Sequence, residues 1–253
     1  MRLIERMKKM YARFRYPHTY SSEAFISYWR RKGLTIGENS YFFAPDKTKI
    51  DKGRASYITI GKNCCITGGV QFLCHDYSWN ILVKSHREIY PDPGRPINIG
   101  DNVFIGWNTL IIGPVDIGNN VIIGANSVVT KKVPDNVVCA GNPARIICSL
   151  DEYRDKKKKS EIDSAKKRAR HIYQKENRIP TFDDMGWFNI LWMERNETNE
   201  KKIMKLPYKG GESSDVLVAF HNTSKLYESY ENFCKEVFTS EELNDGFQKV
   251  LDE

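Results

Sequence analysis

His75 is the residue of this sequence best suited to acid–base chemistry. An imidazole titrates near neutral pH, so it can take a proton from a hydroxyl that attacks a carbonyl carbon. It stands in the run Cys74-His75-Asp76-Tyr77-Ser78 and is one of five histidines in the chain. Asp76 could orient or polarise the imidazole, or could only stabilise a turn. His75 could also be a local cap, and we favour the base because of the repeat that flanks it.

A strict six-residue repeat follows this histidine. Aliphatic residues recur at every sixth position, and a small or β-branched side chain follows each one four residues later. The aliphatic positions are Ile99, Ile105, Ile111, Ile117, Ile123 and Val129. A weaker form of the same register precedes the histidine at Ile36, Ile60, Ile66 and Phe72. This period fits neither the helical one of about 3.6 residues nor an alternating strand.

Short strands that meet at corners explain the period. If six residues form one side and three sides close a turn, every aliphatic residue points to the axis of a triangular prism. Glycine and asparagine beside the corners suit backbone with positive φ. The interval from Phe72 to Ile99 is 27 residues, which is not a multiple of six. Residues 76–97 must therefore leave the prism, and their prolines and glycine indicate an extruded loop.

The predicted fold is mainly β, a parallel β-helix with accessory regions at both ends. We assign residues 1–33 to an N-terminal helical region and residues 34–148 to the β-helix. Residues 149–253 form a C-terminal α+β extension.

The sequence of the extension is typical of a folded region, and it contains no recognisable set of catalytic residues. Residues 151–178 are charged and compatible with helix, residues 215–220 resemble a strand, and another helix is expected near residues 224–238. Thr239 and Glu242 fit a capping box. We expect this region to pack against the prism and to narrow a substrate cleft. Residues 185–193 could stack on sugar rings or belong to an ordinary core.

The net charge of +7 comes from the first 32 residues and from the stretch Lys156 to Arg170. No nucleic-acid-binding signature accompanies it, so we expect no nucleic-acid partner and assign the charge to a phosphate-rich cofactor or an acidic glycan. The N-terminal helix would align apolar side chains, which we expect to contact the protein itself or a partner subunit rather than a membrane surface. These side chains are Leu3, Ile4, Met7, Met10, Tyr11 and Phe14.

No segment has the length and apolarity of a membrane span or a signal peptide, so we expect a cytosolic protein. The six cysteines lack metal-ligand spacing, and we interpret them as reduced packing residues. Zinc chemistry needs three protein ligands and an open position. His75 and His86 cannot supply three from neighbouring coils, so no metal is expected.

Over residues 34–148 the sequence resembles the left-handed parallel β-helix, or hexapeptide-repeat, acyltransferases. The repeat carries the resemblance, and residues 128–147 look like the last coil and cap of the sugar and xenobiotic acetyltransferase branch. The resemblance implies a left-handed coil, acetyl-CoA as co-substrate and His75 as general base. It also implies a homotrimer with each acetyl-CoA between two prisms.

The resemblance assigns further residues to the cofactor and to the acceptor. Trp107 falls where family members contact the arm of CoA near the thioester, and Ala125 where a backbone group receives the pantetheine amides. Thr130 and Lys131 fall along the pantetheine and phosphates, and Arg145 at the nucleotide phosphates. The acceptor-binding candidates are Tyr77, Trp79, His86 and Phe104. Many members have tryptophan at the position of Phe104, which puts the acceptor geometry in question.

The motif at His75 resembles enzymes that O-acetylate capsular or exopolysaccharide sugars. We therefore expect direct transfer of an acetyl group to a hydroxyl of a surface polysaccharide or its precursor, with a sugar or oligosaccharide as acceptor. N-acetylation of an amino sugar and acetylation of an antibiotic are the enzymatic alternatives. A β-helix scaffold without catalysis is the alternative from another class.

Overall fold

The computed structural model describes Met7, Met10, Tyr11 and residues 14–243. The chain divides into two compact units, Met1–Tyr153 with Lys209–Gly211 and Arg154–Tyr208 with Glu212–Glu253. Strands occur in the first unit, and the described part of the second is helical.

In the first unit, every turn of the chain gives one short strand to each of three parallel sheets. The first coil contains β1 (Thr35–Ile36), β2 (Tyr41–Phe42) and β3 (Lys49–Ile50), and the second contains β4 (Ile58–Ile60), β5 (Cys65–Ile66) and β6 (Gln71–Leu73). The third contains β7 (Ile97–Ile99), β8 (Val103–Ile105) and β9 (Leu110–Ile112), and the fourth contains β10 (Val115–Ile117), β11 (Val121–Ile123) and β12 (Val128–Val129). The first sheet orders its strands β1, β4, β7, β10, and the third orders them β3, β6, β9, β12.

The register between coils confirms the geometry predicted from the six-residue period. Val103 lies beside Val121 and Ile99 beside Ile117, so equivalent positions are 18 residues apart, which is three sides of six. The aliphatic residues of the repeat point inward and are almost wholly buried in one continuous core. The predicted parallel β-helix is confirmed.

The corner between the first and second sheets is built on asparagine in the left-handed region. Asn102 has φ 58° and Asn120 has φ 55°. Their amides stack into a ladder, with Asn102 donating to Asn120 at 2.7 Å and Asn120 donating to Asn136 at 2.9 Å. Gly100 serves the same corner differently, because a Cβ there would lie 2.8 Å from the carbonyl carbon of Gly118 on the next coil. Asparagine therefore supplies the turn, and glycine permits the coils to stack.

Both ends of the prism are covered. At the start, α1 (Ser22–Arg31) is capped by Ser21, whose hydroxyl accepts from the N–H of Ala24 at 3.2 Å. Its Phe25 ring packs 4.8 Å from that of Phe42. At the other end, β13 (Val137–Ala140) is parallel to β11, but β14 (Arg145–Ser149) runs antiparallel to β13 with a register shift between Val138 and Cys139.

The chain leaves the prism between β6 and β7, as the interruption of the repeat predicted. The segment is not an open loop throughout, because α2 (Trp79–His86) lies within it. The prolines that suggested irregular structure are confined to its second half, residues 91–96, so they do not interrupt this helix.

Helices follow the prism: α3 (Leu150–Lys159), α4 (Glu161–Glu176), α5 (Phe182–Met185), α6 (Glu197–Ile203), α7 (Ser213–Asn222) and α8 (Tyr230–Val237). Residues 151–178, whose sequence is compatible with helix, lie mostly in α3 and α4, so this expectation is confirmed. The strand expected at residues 215–220 is wrong, because this segment belongs to α7 and buries Val216 and Phe220, four residues apart, on one face. The described part of the C-terminal extension is therefore α rather than α+β.

The second unit has its own core, in which Trp192 stacks on Phe233 with 4.7 Å between ring centroids. Most of the 185–193 stretch is therefore core, while Trp187 remains 40% exposed. The capping bonds expected between Thr239 and Glu242 are present, at 2.7 and 3.3 Å.

The apolar side chains near the N-terminus do not pack on the chain where they are described. Met7, Met10, Tyr11 and Phe14 are all more than half exposed, and Leu3 and Ile4 lie outside the described residues. None of the helices among the described residues has both the length and the apolar character that crossing a membrane requires.

Candidate active site

His75 lies where the chain leaves the third sheet, two residues after the end of β6. Its Nδ1 is 2.5 Å from Oδ2 of Asp51, which lies on the preceding coil. The same carboxylate oxygen accepts the backbone N–H of Cys74 at 3.1 Å. Asp51 is almost buried, with a side chain that is 7% exposed, whereas 46% of the His75 side chain is exposed. A fixed carboxylate thus holds one edge of an accessible imidazole.

This pairing defines what the ring can do chemically. When Nδ1–H donates to a carboxylate, the neutral ring carries its lone pair on Nε2. Nε2 can then accept a proton from a substrate. The same carboxylate stabilises the imidazolium that results.

The sequence left two roles open for Asp76, orienting the imidazole and stabilising a turn. Its Oδ2 accepts from Arg95 at 2.7 Å, and its Oδ1 accepts the N–H of Ser78 at 2.8 Å. The hydrogen bond from the Ser78 backbone, with help from Arg95, holds the pKa of Asp76 below its ordinary value. Of the two roles considered for Asp76, its contacts support stabilisation of a turn: Asp51 occupies Nδ1 of His75, and Asp76 holds the turn at the start of the excursion, residues 76–97.

A second carboxylate holds the rest of the excursion, the segment of residues 76–97 that leaves the prism, beside His75. Asp92 accepts the backbone N–H of Asp76 at 3.1 Å, and this bond lowers the pKa of Asp92. Arg54, from the prism, lies 3.5 Å from Asp92 and also reaches its carbonyl oxygen. Arg95 donates its backbone N–H to Cys74 O at 2.8 Å. The returning segment therefore forms a wall next to the imidazole.

A cavity of about 640 Å³ opens between this wall and the prism. His75 and Asp51 line it, together with Tyr77 and Trp79, whose ring centroids are 5.1 Å apart. A second cavity of about 540 Å³ adjoins it and shares Trp79. Two of the four predicted acceptor residues are thus brought together with the base.

The other two predicted acceptor residues lie elsewhere. His86 is at the end of α2, where its Nδ1 is 2.7 Å from the hydroxyl of Ser85, and it does not line the His75 cavity. Phe104 lies in the middle of β8 and is 41% exposed on the outer face of the second sheet. The second sheet is opposite the corner that carries His75. The structure does not bring either residue to the imidazole within one chain.

Trp107 and Ala125 share the corner between the second and third sheets. The N–H of Asn126 donates to Trp107 O at 2.7 Å, which stacks the two turns. The indole is 43% exposed and lies over Gly68, where a Cβ would be 2.4 Å from the ring. The Lys47 ammonium is 5.1 Å from its centroid. This corner presents the partly exposed ring of Trp107 beside the exposed residue Ala125.

Thr130, Lys131 and Arg145 lie around one cavity of about 420 Å³, which Lys132 also lines. Thr130 and Lys131 follow β12, so they occupy the same corner as His75, two coils farther on. With neighbouring strands about 4.8 Å apart, that offset is about 10 Å. Three cations around one cavity suit phosphate groups.

The surroundings of the imidazole give less support to a cysteine nucleophile or to a metal site. Cys74 precedes His75, but burial, and then the charge of Asp51, raises the pKa of its thiol to about 12. A thiol of this kind is a poor nucleophile near neutral pH. All six cysteines are unpaired. Among the residues that the structure describes, no three metal-binding side chains come together.

Asp51 is the residue of the candidate site that the sequence did not reveal. It follows Ile50, which lies beside Phe72 in the third sheet. The spacing between the first two coils is irregular, since Ile50 and Phe72 are neighbours although they are 22 residues apart, which is not a multiple of six. The six-residue count therefore could not place Asp51 next to His75. An acidic residue after an inward aliphatic residue, one coil before the histidine, was the only available signal.

Comparisons with known proteins agree with this architecture. Residues 96–131 match the family model described as hexapeptide repeat of succinyl-transferase. Protein CapG of Staphylococcus aureus is 46% identical over 128 residues, which are 50% of this chain and 72% of that protein.

Two solved structures are similar over about half of the chain. A hexapeptide-repeat-containing acetyltransferase of Vibrio cholerae, solved with acetyl coenzyme A, is 32% identical with a TM-score of 0.41, over 47% of this chain and 61% of its own. The polySia-specific acetyltransferase NeuO is 30% identical with a TM-score of 0.39, over 46% of this chain and 51% of its own. The chain thus spans less than two thirds of each of these two proteins.

The repeat, the prism that it builds and the extent of the match to CapG lead to one assignment. The chain belongs to the hexapeptide-repeat acyltransferases, the family built on the left-handed parallel β-helix.

Proposed function

We propose that this protein transfers the acetyl group of acetyl-CoA to a hydroxyl of a sugar in a surface polysaccharide or its precursor. The observation that carries the proposal is the pair His75–Asp51, with its 2.5 Å hydrogen bond, at the edge of an open cavity. Family membership supports acyl transfer, and the pair supplies the base that such a reaction needs.

In the proposed reaction, Nε2 of His75 takes the proton of the acceptor hydroxyl while its oxygen bonds to the thioester carbonyl carbon. The carbonyl electrons move to the oxygen, and backbone N–H groups stabilise the oxyanion. Collapse of the intermediate expels the CoA thiolate, which takes the proton back from His75. The Asp51 carboxylate stabilises the imidazolium between these steps. Transfer is direct, since the adjacent thiol of Cys74 is kept protonated.

Acetyl-CoA would lie with its phosphates at the Lys131 and Arg145 cavity and its thioester toward His75. Trp107 and Ala125 belong to the same proposed cofactor site, yet they occupy the opposite edge of the third sheet. A rotational trimer brings one corner of a subunit against the other corner of the next. We therefore propose a homotrimer in which each cofactor lies between two copies of the chain.

The residues that line the cavity at His75 favour a sugar as the acceptor. Tyr77 and Trp79 present aromatic faces, which suit the apolar faces of a pyranose ring. Arg54, Asp76 and Asp92 add charged groups around the same cavity, which suit hydroxyl groups. An acceptor with alternating apolar and polar surface fits this lining better than a wholly apolar one.

Release of CoA thiol from acetyl-CoA tests the proposal. The wild type is compared with His75→Ala over a panel of sugars, amino sugars, oligosaccharides and aminoglycosides. We expect acceptor-dependent release with sugars or oligosaccharides, lowered about 10²- to 10⁴-fold in the variant. His86→Ala is the matched control, because His86 lies outside the cavity and should retain activity.

Other outcomes would contradict the proposal. Release with amino sugars alone would indicate N-acetylation, and release with aminoglycosides alone would indicate antibiotic acetylation. Equal turnover in His75→Ala would exclude the histidine as base. If the wild type shows no turnover and no binding of acetyl-CoA, the result would favour a β-helix scaffold without catalysis.

A further inference from the structure

The helical unit contains a cavity of its own, with a volume of about 410 Å³. It is bounded by the 3₁₀ helix Gly186–Leu191, the end of α6 and one face of α7. Trp187 and Tyr208 line it with rings that are 40% and 41% exposed. The other apolar side chains of the lining are Ile190, Ile203, Val216, Ala219 and Phe220. An apolar cavity of this volume with accessible aromatic rings is typical of a small-molecule site.

One charged side chain, that of Asp215, lines the cavity. Asp215 lies in the first turn of α7, where its Oδ2 accepts the backbone N–H of Glu212 at 2.9 Å. No residue that the structure describes bonds to the other carboxylate oxygen, Oδ1. Within the described parts of the chain, no lysine or arginine lines the cavity. The cavity is therefore negative at neutral pH, although the whole chain has a net charge of +7.

The two accessible rings offer a surface for a cation. The face of an indole or phenol ring attracts an ammonium group, and the attraction is larger where the group is out of water. Phe220 contributes less, because the guanidinium of Arg195 already lies 4.4 Å from its ring centroid. Arg195 itself does not line the cavity. A positively charged ligand would therefore contact Trp187, Tyr208 and Asp215.

Other classes of ligand fit this lining less well. The carboxylate of Asp215 repels a phosphate or a second carboxylate. A wholly apolar ligand would cover Asp215 without giving Oδ1 a partner, which costs free energy. A sugar would leave most of its hydroxyl groups without partners, because only Trp187, Tyr208 and Asp215 bring polar side-chain atoms to the lining. An ammonium group with apolar substituents satisfies both the carboxylate and the apolar walls.

We propose that this cavity binds a small organic cation that carries a quaternary or alkyl-substituted ammonium group. The positive charge lies against the rings of Trp187 and Tyr208 and close to Asp215, and the apolar substituents contact α7. The lining shares no residue with the cavity at His75. Binding needs neither acetyl-CoA nor the histidine, so the inference does not depend on the proposed acetyl transfer.

Two probes of the same shape test the inference. Choline is compared with its neutral isostere, the alcohol in which a tert-butyl group replaces the trimethylammonium group. Saturation-transfer NMR titrations with the full-length protein give the two dissociation constants. We expect choline to bind at least about fivefold more tightly than the alcohol, because only choline gains the cation–π and carboxylate interactions. Pivalate and a methyl glucoside are titrated as the anionic and sugar probes.

Variants locate the site and separate charge from shape. Asp215→Asn keeps a side-chain oxygen for the N–H of Glu212 but removes the charge. It should weaken choline binding about fivefold and leave binding of the alcohol within about twofold. Trp187→Ala should weaken choline binding about fivefold or more. Asp183→Asn makes the same chemical change as Asp215→Asn at an exposed position outside the cavity, and it should change neither constant. Melting temperatures show whether each variant is folded.

Several results would overturn the inference. Equal dissociation constants for choline and the alcohol in the wild type would show that the charge is not recognised. Tighter binding of pivalate than of choline would reverse the sign of the ligand, and tighter binding of the glucoside would assign the cavity to a sugar. Choline binding that is undetectable in the wild type, or unchanged in folded Trp187→Ala, would exclude this cavity as a cation site.

Discussion

Asp51 and His75 lie on neighbouring coils and share a hydrogen bond of 2.5 Å between Oδ2 and Nδ1. The carboxylate is anchored a second time by the backbone N–H of Cys74. The orientation of the imidazole is therefore set by the stacked prism and not by the excursion on the other side of the cavity. A change at position 51 should act on the chemistry rather than on substrate binding.

Asp51→Asn should lower kcat about 10²-fold or more, because an amide does not stabilise the imidazolium and can leave the wrong ring nitrogen protonated. The acceptor KM should change little. Steady-state kinetics with the acceptor found in the panel check this. Asp76→Asn is the comparison: it removes a contact with Arg95, so it should cost less in kcat and more in acceptor KM. A larger loss of kcat at Asp76 would restore it as the orienting residue.

Gly68→Ala should weaken acetyl-CoA binding. A Cβ at this position would lie 2.4 Å from the indole of Trp107 and 2.9 Å from Cβ of Ala44, so the ring must move off its present surface. We expect the KM for acetyl-CoA to rise about tenfold with a smaller change in kcat, because a displaced ring loses contact area with the cofactor. Initial rates at varied acetyl-CoA measure the effect.

Gly53→Ala is the control for that variant, because a Cβ there meets no atom within 4 Å. It should leave the acetyl-CoA KM and the melting temperature unchanged. If Gly68→Ala behaves in the same way, Trp107 does not belong to the cofactor site.

Substitution of a corner asparagine by glycine and by alanine should lower the stability of the protein by different amounts. Asn120 has φ 55° and joins the amide ladder with Asn102 and Asn136. Asn120→Gly loses the ladder but tolerates the backbone, whereas Asn120→Ala loses both. Alanine should therefore be the more destabilising by about 1 to 2 kcal/mol. Chemical denaturation of the two variants provides the comparison, and equal free energies of unfolding would contradict the strained corner.

Asp184 should make the helical unit sensitive to acid. Its bidentate contact with Arg178 and its capping bonds with Thr181 hold the pKa of Asp184 far below its ordinary value. A lowered folded-state pKa means that the stabilisation is present above the unfolded value of about 4 and is lost as the pH falls below it. Asp184→Asn should cost about 1 to 2 kcal/mol near pH 7 and less at pH 3.

Denaturation at both pH values measures this difference. Asp183→Asn makes the same chemical change at the neighbouring exposed position and should have little effect at either pH. A penalty for Asp184→Asn that does not shrink with acid would mean that the carboxylate charge is not the stabilising element.

The prism could be predicted in detail because one period determines it. Six residues per side fix which side chains point inward, so Ile105 and Ile123 are adjacent in the structure as the count requires. The same count fails between the first two coils, where the neighbours Ile50 and Phe72 are 22 residues apart. The partner of His75 comes from the first of these coils, and so it was missed.

The helical unit shows the other limit. Residues 215–220 are mostly apolar and β-prone, and a run of this length does not distinguish a strand from a buried helix. Capping decides between them: the N–H of Glu212 donates to Asp215 at 2.9 Å and opens α7. Similarly, α2 forms where the excursion lacks proline, although the whole segment resembles a loop.

A stack of identical parallel coils could in principle add further chains at its ends, as amyloid does. Here β14 reverses direction at one end, and the shift between Val138 and Cys139 breaks the ladder that a new coil would copy. At the other end, Phe25 of α1 covers Phe42 of the first coil. Together, β14 and α1 therefore leave no regular parallel strand edge at either end of the prism on which another chain could stack.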